Sequence, residues 1–164
     1  KTNQASRYNA FQARFNIDYN RKTMSYMREK MKHALFNKID KNMKLNRLSY
    51  FEELKRSKIV LSPFGYGEIT LKDFEVFLTG GLLLKPNMNH LITWPDLYQE
   101  NKHIISHKWD LSDLEDKIEY CLENYNNLVK IAKDAQKNYN TFLHGEIAEI
   151  NFINHFRSII NKLK

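Results

Sequence analysis

Two short apolar runs, Ile59-Val60-Leu61 and Leu82-Leu83-Leu84, bracket a segment with helical periodicity. The first run closes in Ser62-Pro63 and the second in Lys85-Pro86. Between them, Gly65 and Gly67 lead into residues 68–78, where Leu71, Phe74, Phe77 and Leu78 fall near one helix face. Apolar runs this short, punctuated by Gly and Pro, read as strands buried on both faces of a parallel sheet. The pattern predicts a βαβ unit: strands 59–62 and 82–85 adjacent and parallel, joined by helix 68–78 in a right-handed crossover.

The remaining pattern is mostly helical. Residues 1–19 are polar and aromatic without a clean period, and 8–15 admit a short strand. Met24, Met27, Met31 and Leu35 recur at helical spacing and mark a helix over 20–37, their stripe read as core. A polar connection at 40–46 leads to a short helix, 48–56, with Ser49 as its cap and Glu52 completing a capping box. After the βαβ unit comes a loop, 87–101, carrying Trp94-Pro95, then a short strand at 103–107. Asp110 or Ser112 caps the next helix, with Leu114, Ile118 and Leu122 on its buried face. Helices over 126–139 and 141–163 follow, the last with Ile147, Ile150, Ile153, Phe156, Ile160 and Leu163 near one side. Strands alternating with helices give the class α/β, a Rossmann-like domain with a small parallel sheet flanked by helices.

Length and charge narrow this further. The 164 residues suit one domain with a real core, and no window approaches a membrane span. The chain begins at Lys1 without a visible signal peptide, and is expected to be part of a longer protein. The single cysteine, Cys121, excludes an intrachain disulfide and points to a reducing, cytoplasmic setting; its helical pattern makes it a buried thiol. Residues 1–57 carry a net charge of +9 and residues 58–164 carry −2. A basic first third suits an anionic substrate, nucleic acid or an acidic membrane surface, but also an ordinary solvated helix face. Arg21, Lys22, Arg28, Lys30 and Lys32 spread around their helix rather than forming one stripe, and no nucleic-acid-binding motif accompanies them.

The chemistry concentrates in the βαβ unit. Glycines at 65 and 67, around Tyr66, let backbone approach an anion at a helix N-terminus, where free N–H groups and the helix dipole favour phosphate. On a helix over 68–78, Glu68, Lys72 and Glu75 share one edge at i, i+4 and i+7. Lys72 reaches a diphosphate as a point charge, and Glu75 accepts hydrogen bonds from vicinal hydroxyls such as those of a ribose. The competing reading is an exposed helix with a plain Glu–Lys pair. Six histidines make no convincing metal set, and His103 and His107 do not converge on a strand and turn. His90 lies in the loop beside the expected site and joins it as a donor contact, against the alternative of a surface histidine. Trp94 and Trp109 are read as ring-packing residues.

The stretch SKIVLSPFGYGEITLKDFEVFLTGGLLLKP resembles the donor-binding half of GT-B-fold glycosyltransferases, in particular the group 1 and exostosin-like families. Those enzymes place a basic residue three positions before a glutamate after a Gly-rich loop, then an apolar helix ending in a small residue and Gly. Lys72, Glu75 and Thr79-Gly80 occupy those places. The likeness runs over roughly residues 47–140 and includes KPNMNHLITWPDLY downstream; the interval from Glu68 to Glu75 is one residue shorter than usual. It implies that Lys72 neutralises the donor diphosphate, Glu75 holds the ribose hydroxyls and Glu68 meets the transferred sugar. The donor site then comprises Gly65, Tyr66, Gly67, Glu68, Lys72, Glu75 and His90, with the catalytic residues unassigned.

The resulting expectation is a glycosyltransferase donor domain spanning 1–164, with a basic helical lead-in at 1–46 and a crossing helix at 141–164. It transfers a hexose from a nucleoside diphosphate sugar to a glycan or other hydroxyl acceptor, without a cofactor or dedicated metal. Its partners are a nucleotide sugar and an acceptor, with no nucleic acid and no transmembrane segment; an N-terminal acceptor domain is expected outside this chain. The rival from another class is a non-catalytic basic α/β module that docks a polyanion or protein partner. The discriminating observation is whether Lys72 and Glu75 line a common cleft or face bulk solvent.

Overall fold

A computed structural model describes residues 7–35 and 44–162. Asn37, residues 40–43 and Leu163, all assigned above, lie outside them. The elements are β1 (Asn9–Gln12), α1 (Lys22–Ala34), α2 (Arg47–Arg56), β2 (Ser57–Leu61), α3 (Leu71–Thr79), β3 (Leu82–Pro86), β4 (Ile105–His107), α4 (Leu114–Glu123), α5 (Tyr125–Leu143) and α6 (Glu146–Lys162).

The four strands form one parallel sheet in the order β1-β2-β3-β4. Ile59 pairs with Phe11 on one side and Leu82 on the other, and Leu84 pairs with Ile105. The predicted βαβ unit is therefore present, with β2 and β3 as central strands. Alternation along them feeds two cores. Ile59, Leu61, Leu82 and Leu84 pack with Met31, Leu35, Ile118 and Leu128 on one face. Val60 and Leu83 pack with Leu54, Val76 and Phe77 on the other. Cys121 is buried in the first core, and burial pushes its thiol pKa up to about 12, as expected of an inert helix thiol.

Several boundaries move, each for a local reason. Helix α3 starts at Leu71, because Thr70 and Asp73 form its capping box: the Thr70 N–H and hydroxyl both donate to the Asp73 carboxylate at 3.0 Å. Glu68 is consequently not on that helix. Asn46 rather than Ser49 caps α2, accepting from the Ser49 N–H at 2.9 Å. Helix α4 is preceded by Asp113, whose carboxylate accepts from the Lys108 N–H, while Asp110 serves the Ser112 N–H. His103 sits in a turn before β4 rather than in the strand. Helix α5 runs on to Leu143, so Thr141 belongs to it; extended His144 and left-handed Gly145 (φ 86°) then separate it from α6.

Helix α3 stops at Gly80, also left-handed (φ 74°), whose N–H returns to Val76 O at 2.8 Å. Helix α5 crosses this turn: Gln136 Nε2 donates to Leu78 O at 2.7 Å. The opposite ends of β1 and β2 remain open.

Candidate functional site

Because β1 and β2 run in parallel register, the loops leaving their C-terminal ends lie side by side, where open parallel sheets hold ligands. Between these loops is a cleft of about 450 Å³, its walls including Asn16, Tyr19, Arg28, Gly65, Gly67 and Lys72. Tyr66 also lines it, with its ring edge against Tyr19 at 5.6 Å and the Arg21 guanidinium 5.4 Å from the ring centre. Thr70, the cap of α3, is part of the wall, so the positive end of that helix opens on the cleft.

Arg28 is the dominant charge, and the sequence reading did not include it in the site. Its Nε donates to Phe64 O at 2.8 Å, and Nη1 donates to Asn16 O at 2.8 Å and Tyr19 Oη at 3.2 Å. The guanidinium lies 4.7 Å from the Tyr19 ring centre and the residue is only 6% exposed. Nη2 has no hydrogen-bond partner among the described residues and would stand 3.8 Å from a Cβ on Gly65. Burial pushes the guanidinium pKa down, partly offset by Tyr19, yet arginine stays charged at neutral pH. A signal was available: Arg28 falls in helical register with Met24, Met31 and Leu35, so a cation occupies a place on the inward stripe.

Lys72 is in the cleft wall but is not a free point charge. Its Nζ donates to Arg14 O at 2.7 Å, tying α3 to the segment that leaves β1. Burial, then the positive charge of Arg28, pushes its pKa down to about 7. An anion in the cleft offsets both cations at once.

Glu75 stands one turn deeper, outside the walls of this cleft. Its Oε2 accepts from Tyr50 Oη at 3.0 Å. Burial and the adjacent carboxylate push the Tyr50 phenol far above its usual range, so it stays a neutral donor. Tyr50 lines a second hollow of about 520 Å³, which shares Arg14, Phe15 and Asn16 with the first. Lys72 and Glu75 thus do not line a common cleft: Lys72 is in the wall of the first hollow, and Glu75 meets the second only through its bond to Tyr50.

Glu68 and His90 lie together on the other side of the glycine loop. The His90 ring nitrogen is 3.5 Å from Glu68 Oε1, and its ring meets Trp109 edge-on at 4.9 Å. Trp109 also packs against Phe64 at 5.5 Å and donates to Asn87 O, so its ring fixes the loop. Trp94 stacks on His155 at 4.3 Å, far along the chain. Both tryptophans pack rings, as read from sequence.

A buried ion pair holds the glycine loop in place. Lys85 in β3 and Asp73 in α3 are fully buried and 3.0 Å apart. The same carboxylate also accepts from Ser62 at the end of β2, from Thr70 and from Tyr98. Both ends of the 62–70 loop are thereby anchored to one group. Burial pushes the Lys85 pKa down while Asp73 opposes it. The sequence reading had assigned neither residue.

Among the described residues no three His, Cys, Asp or Glu side chains cluster as metal ligands, and no helix is long and apolar enough to cross a membrane. No curated protein matches the chain. A family model described as glycosyl transferase-like matches residues 8–144, from β1 to the end of α5, and so includes the whole sheet and the cleft. With a parallel α/β sheet flanked by helices and a match over most of its length, the chain belongs to the glycosyl transferase-like family.

Proposed function

We propose that the chain binds a nucleoside diphosphate sugar across the two hollows and serves transfer of its hexose to a glycan or other hydroxyl acceptor. The observation that carries this reading is Arg28, locked at three N–H positions with Nη2 turned to the glycine loop beside the α3 N-terminus. Such a preorganised guanidinium suits a phosphate oxygen, because its geometry is fixed before the ligand arrives. The diphosphate lies along Gly65, Tyr66 and Gly67, next to Arg28 and Lys72. The ribose reaches Glu75 and Tyr50, whose hydrogen bond opens to admit a hydroxyl. The sugar lies toward Glu68 and His90.

In this reading the leaving diphosphate gains negative charge as the glycosidic bond breaks, and Arg28 and the helix dipole are already aimed at it, with Lys72 in the wall beside them. Preorganised charges of this kind stabilise a transition state without reorganisation and in place of a dedicated metal. The rival polyanion reading is weakened by where the basic residues are. Arg7 is buried and donates to Leu54 O, Ser57 O and Thr79 O, Arg14 pairs with Glu53 at 2.7 Å, and Arg28 is interior.

Thermal-shift measurements with uridine and guanosine diphosphates, their sugars and a sulfated polysaccharide test the reading. Stabilisation by a nucleoside diphosphate, and little by the polysaccharide, is expected. Stabilisation by the polysaccharide alone supports the rival, and no shift with any nucleotide overturns the proposal.

A further inference from the structure

Three loops at the ligand end of the sheet meet at Trp109. Its ring packs edge-on with Phe64, in the loop after β2, at 5.5 Å and with His90, in the loop after β3, at 4.9 Å. Its indole N–H donates to Asn87 O at 2.8 Å, also after β3. The loop that carries Trp109 is itself fixed. Asp113 accepts from the Lys108 N–H at 2.7 Å, and Leu111 is held in the left-handed region (φ 67°), which is unfavourable for a residue with a side chain. Yet Trp109 remains 50% exposed. With the one polar atom of its side chain satisfied inside the protein, it presents aromatic surface in a set orientation.

The groups beside that surface define the occupant. Across the glycine loop from the diphosphate cleft is a third hollow of about 230 Å³, which shares Gly65, Tyr66 and Gly67 with the first and is walled also by Met24, Phe64 and Glu68. It is smaller than the roughly 300–1,000 Å³ of pockets for drug-sized ligands, and so suits a single ring. Trp109 adjoins it through two neighbours: Phe64 is a wall residue, and His90 is the partner of Glu68, another wall residue. A pyranose matches this corner on both counts. Its hydroxyls hydrogen-bond to a carboxylate and an imidazole, while its C–H face, slightly positive, rests on the negative face of an aromatic ring. The Glu68 carboxylate repels phosphate, and the ribose reading draws the nucleoside away from this corner, toward Glu75.

We infer that Trp109 is a stacking platform for the hexose of the donor, and so a residue that distinguishes a nucleotide sugar from the bare nucleoside diphosphate. The inference rests on the donor-site reading and adds to it a specificity residue from the loop after β4. Ring packing against Phe64 and His90 is how the platform is held.

Titration calorimetry on the full chain tests it, comparing uridine diphosphate with its glucose and galactose esters and guanosine diphosphate with its mannose ester. Circular dichroism checks that each variant is folded. Trp109→Leu keeps apolar bulk without the ring; it should weaken binding of the tightest sugar ester about two- to tenfold and leave the parent diphosphate unchanged, and Trp109→Tyr should recover part of the loss. In Trp94→Phe, where Trp109 is the sole tryptophan, that ester should shift the emission and the parent diphosphate should not. Ester and diphosphate weakened alike by Trp109→Leu would make Trp109 purely structural and overturn the inference, as would an ester whose affinity does not change. An emission shift with maltohexaose but not with any ester would assign the ring to an acceptor and overturn it too. If no diphosphate and no ester binds the wild type, the donor-site reading fails and this inference with it.

Discussion

Lys72 Nζ donates to the main-chain carbonyl of Arg14 at 2.7 Å, so the cation expected to meet a diphosphate is already engaged in joining α3 to the exit of β1. Burial, then the positive charge of the neighbouring Arg28, lowers its pKa to about 7. Two consequences follow for pH.

A nucleoside diphosphate in the cleft should draw a proton onto Lys72, because opposite charge raises a lysine pKa. Calorimetry at about pH 7.5, in two buffers of different ionisation heat, is expected to show proton uptake on binding. Lys72→Met should reduce the uptake and weaken binding. Identical uptake in the variant would assign the proton elsewhere.

The same shift affects folding. The folded-state pKa of Lys72 lies below the value of about 10.4 expected unfolded, so the unfolded chain binds more protons between them. The Lys72 contribution is fully unfavourable below pH 7 and is relieved as pH rises toward the unfolded value. Urea denaturation at a series of pH values should therefore show wild-type stability gaining on that of Lys72→Met from about pH 7 to 10. A pH-independent difference between the two proteins would contradict this.

Glu75→Ala removes the carboxylate proposed to hold the ribose and leaves the Tyr50 hydroxyl without its partner. Loss of a charged hydrogen-bond acceptor costs about 1.5–3 kcal/mol, roughly ten- to a hundredfold in nucleotide affinity. Titration calorimetry on the folded variant measures this directly. An unchanged dissociation constant would move the ribose away from Glu75.

Asp73→Asn breaks the fully buried pair with Lys85 and disturbs the anchoring of Ser62, Thr70 and Tyr98. Breaking a buried pair on one side costs about 3–5 kcal/mol, because the remaining charge is stranded. Chemical denaturation should show this loss, and adding Lys85→Met should recover part of it by removing the stranded ammonium. A double variant no more stable than Asp73→Asn would mean that the hydroxyl network, not the charge, dominates.

The periodicity of the chain determined its class and its central unit. Ile59-Val60-Leu61 and Leu82-Leu83-Leu84 lack polar positions because both faces of a central parallel strand are covered, and that composition is visible without coordinates. The Gly65–Gly67 turn before a helix was legible for the same reason: local backbone chemistry is written in local sequence. The tertiary structure decided which groups meet. Lys72 reaches Arg14 across 58 positions and Arg28 reaches Phe64 across 36, and neither distance in sequence carries a periodic signal. Glu68 left the helix edge because Thr70 and Asp73 made a stronger cap two residues later, tied to Lys85 and Tyr98 from distant parts of the chain. Helix α6 divides in the same way: its apolar positions are plain in the sequence, but only packing sets which of its side chains, Phe152 and His155, meet Trp94.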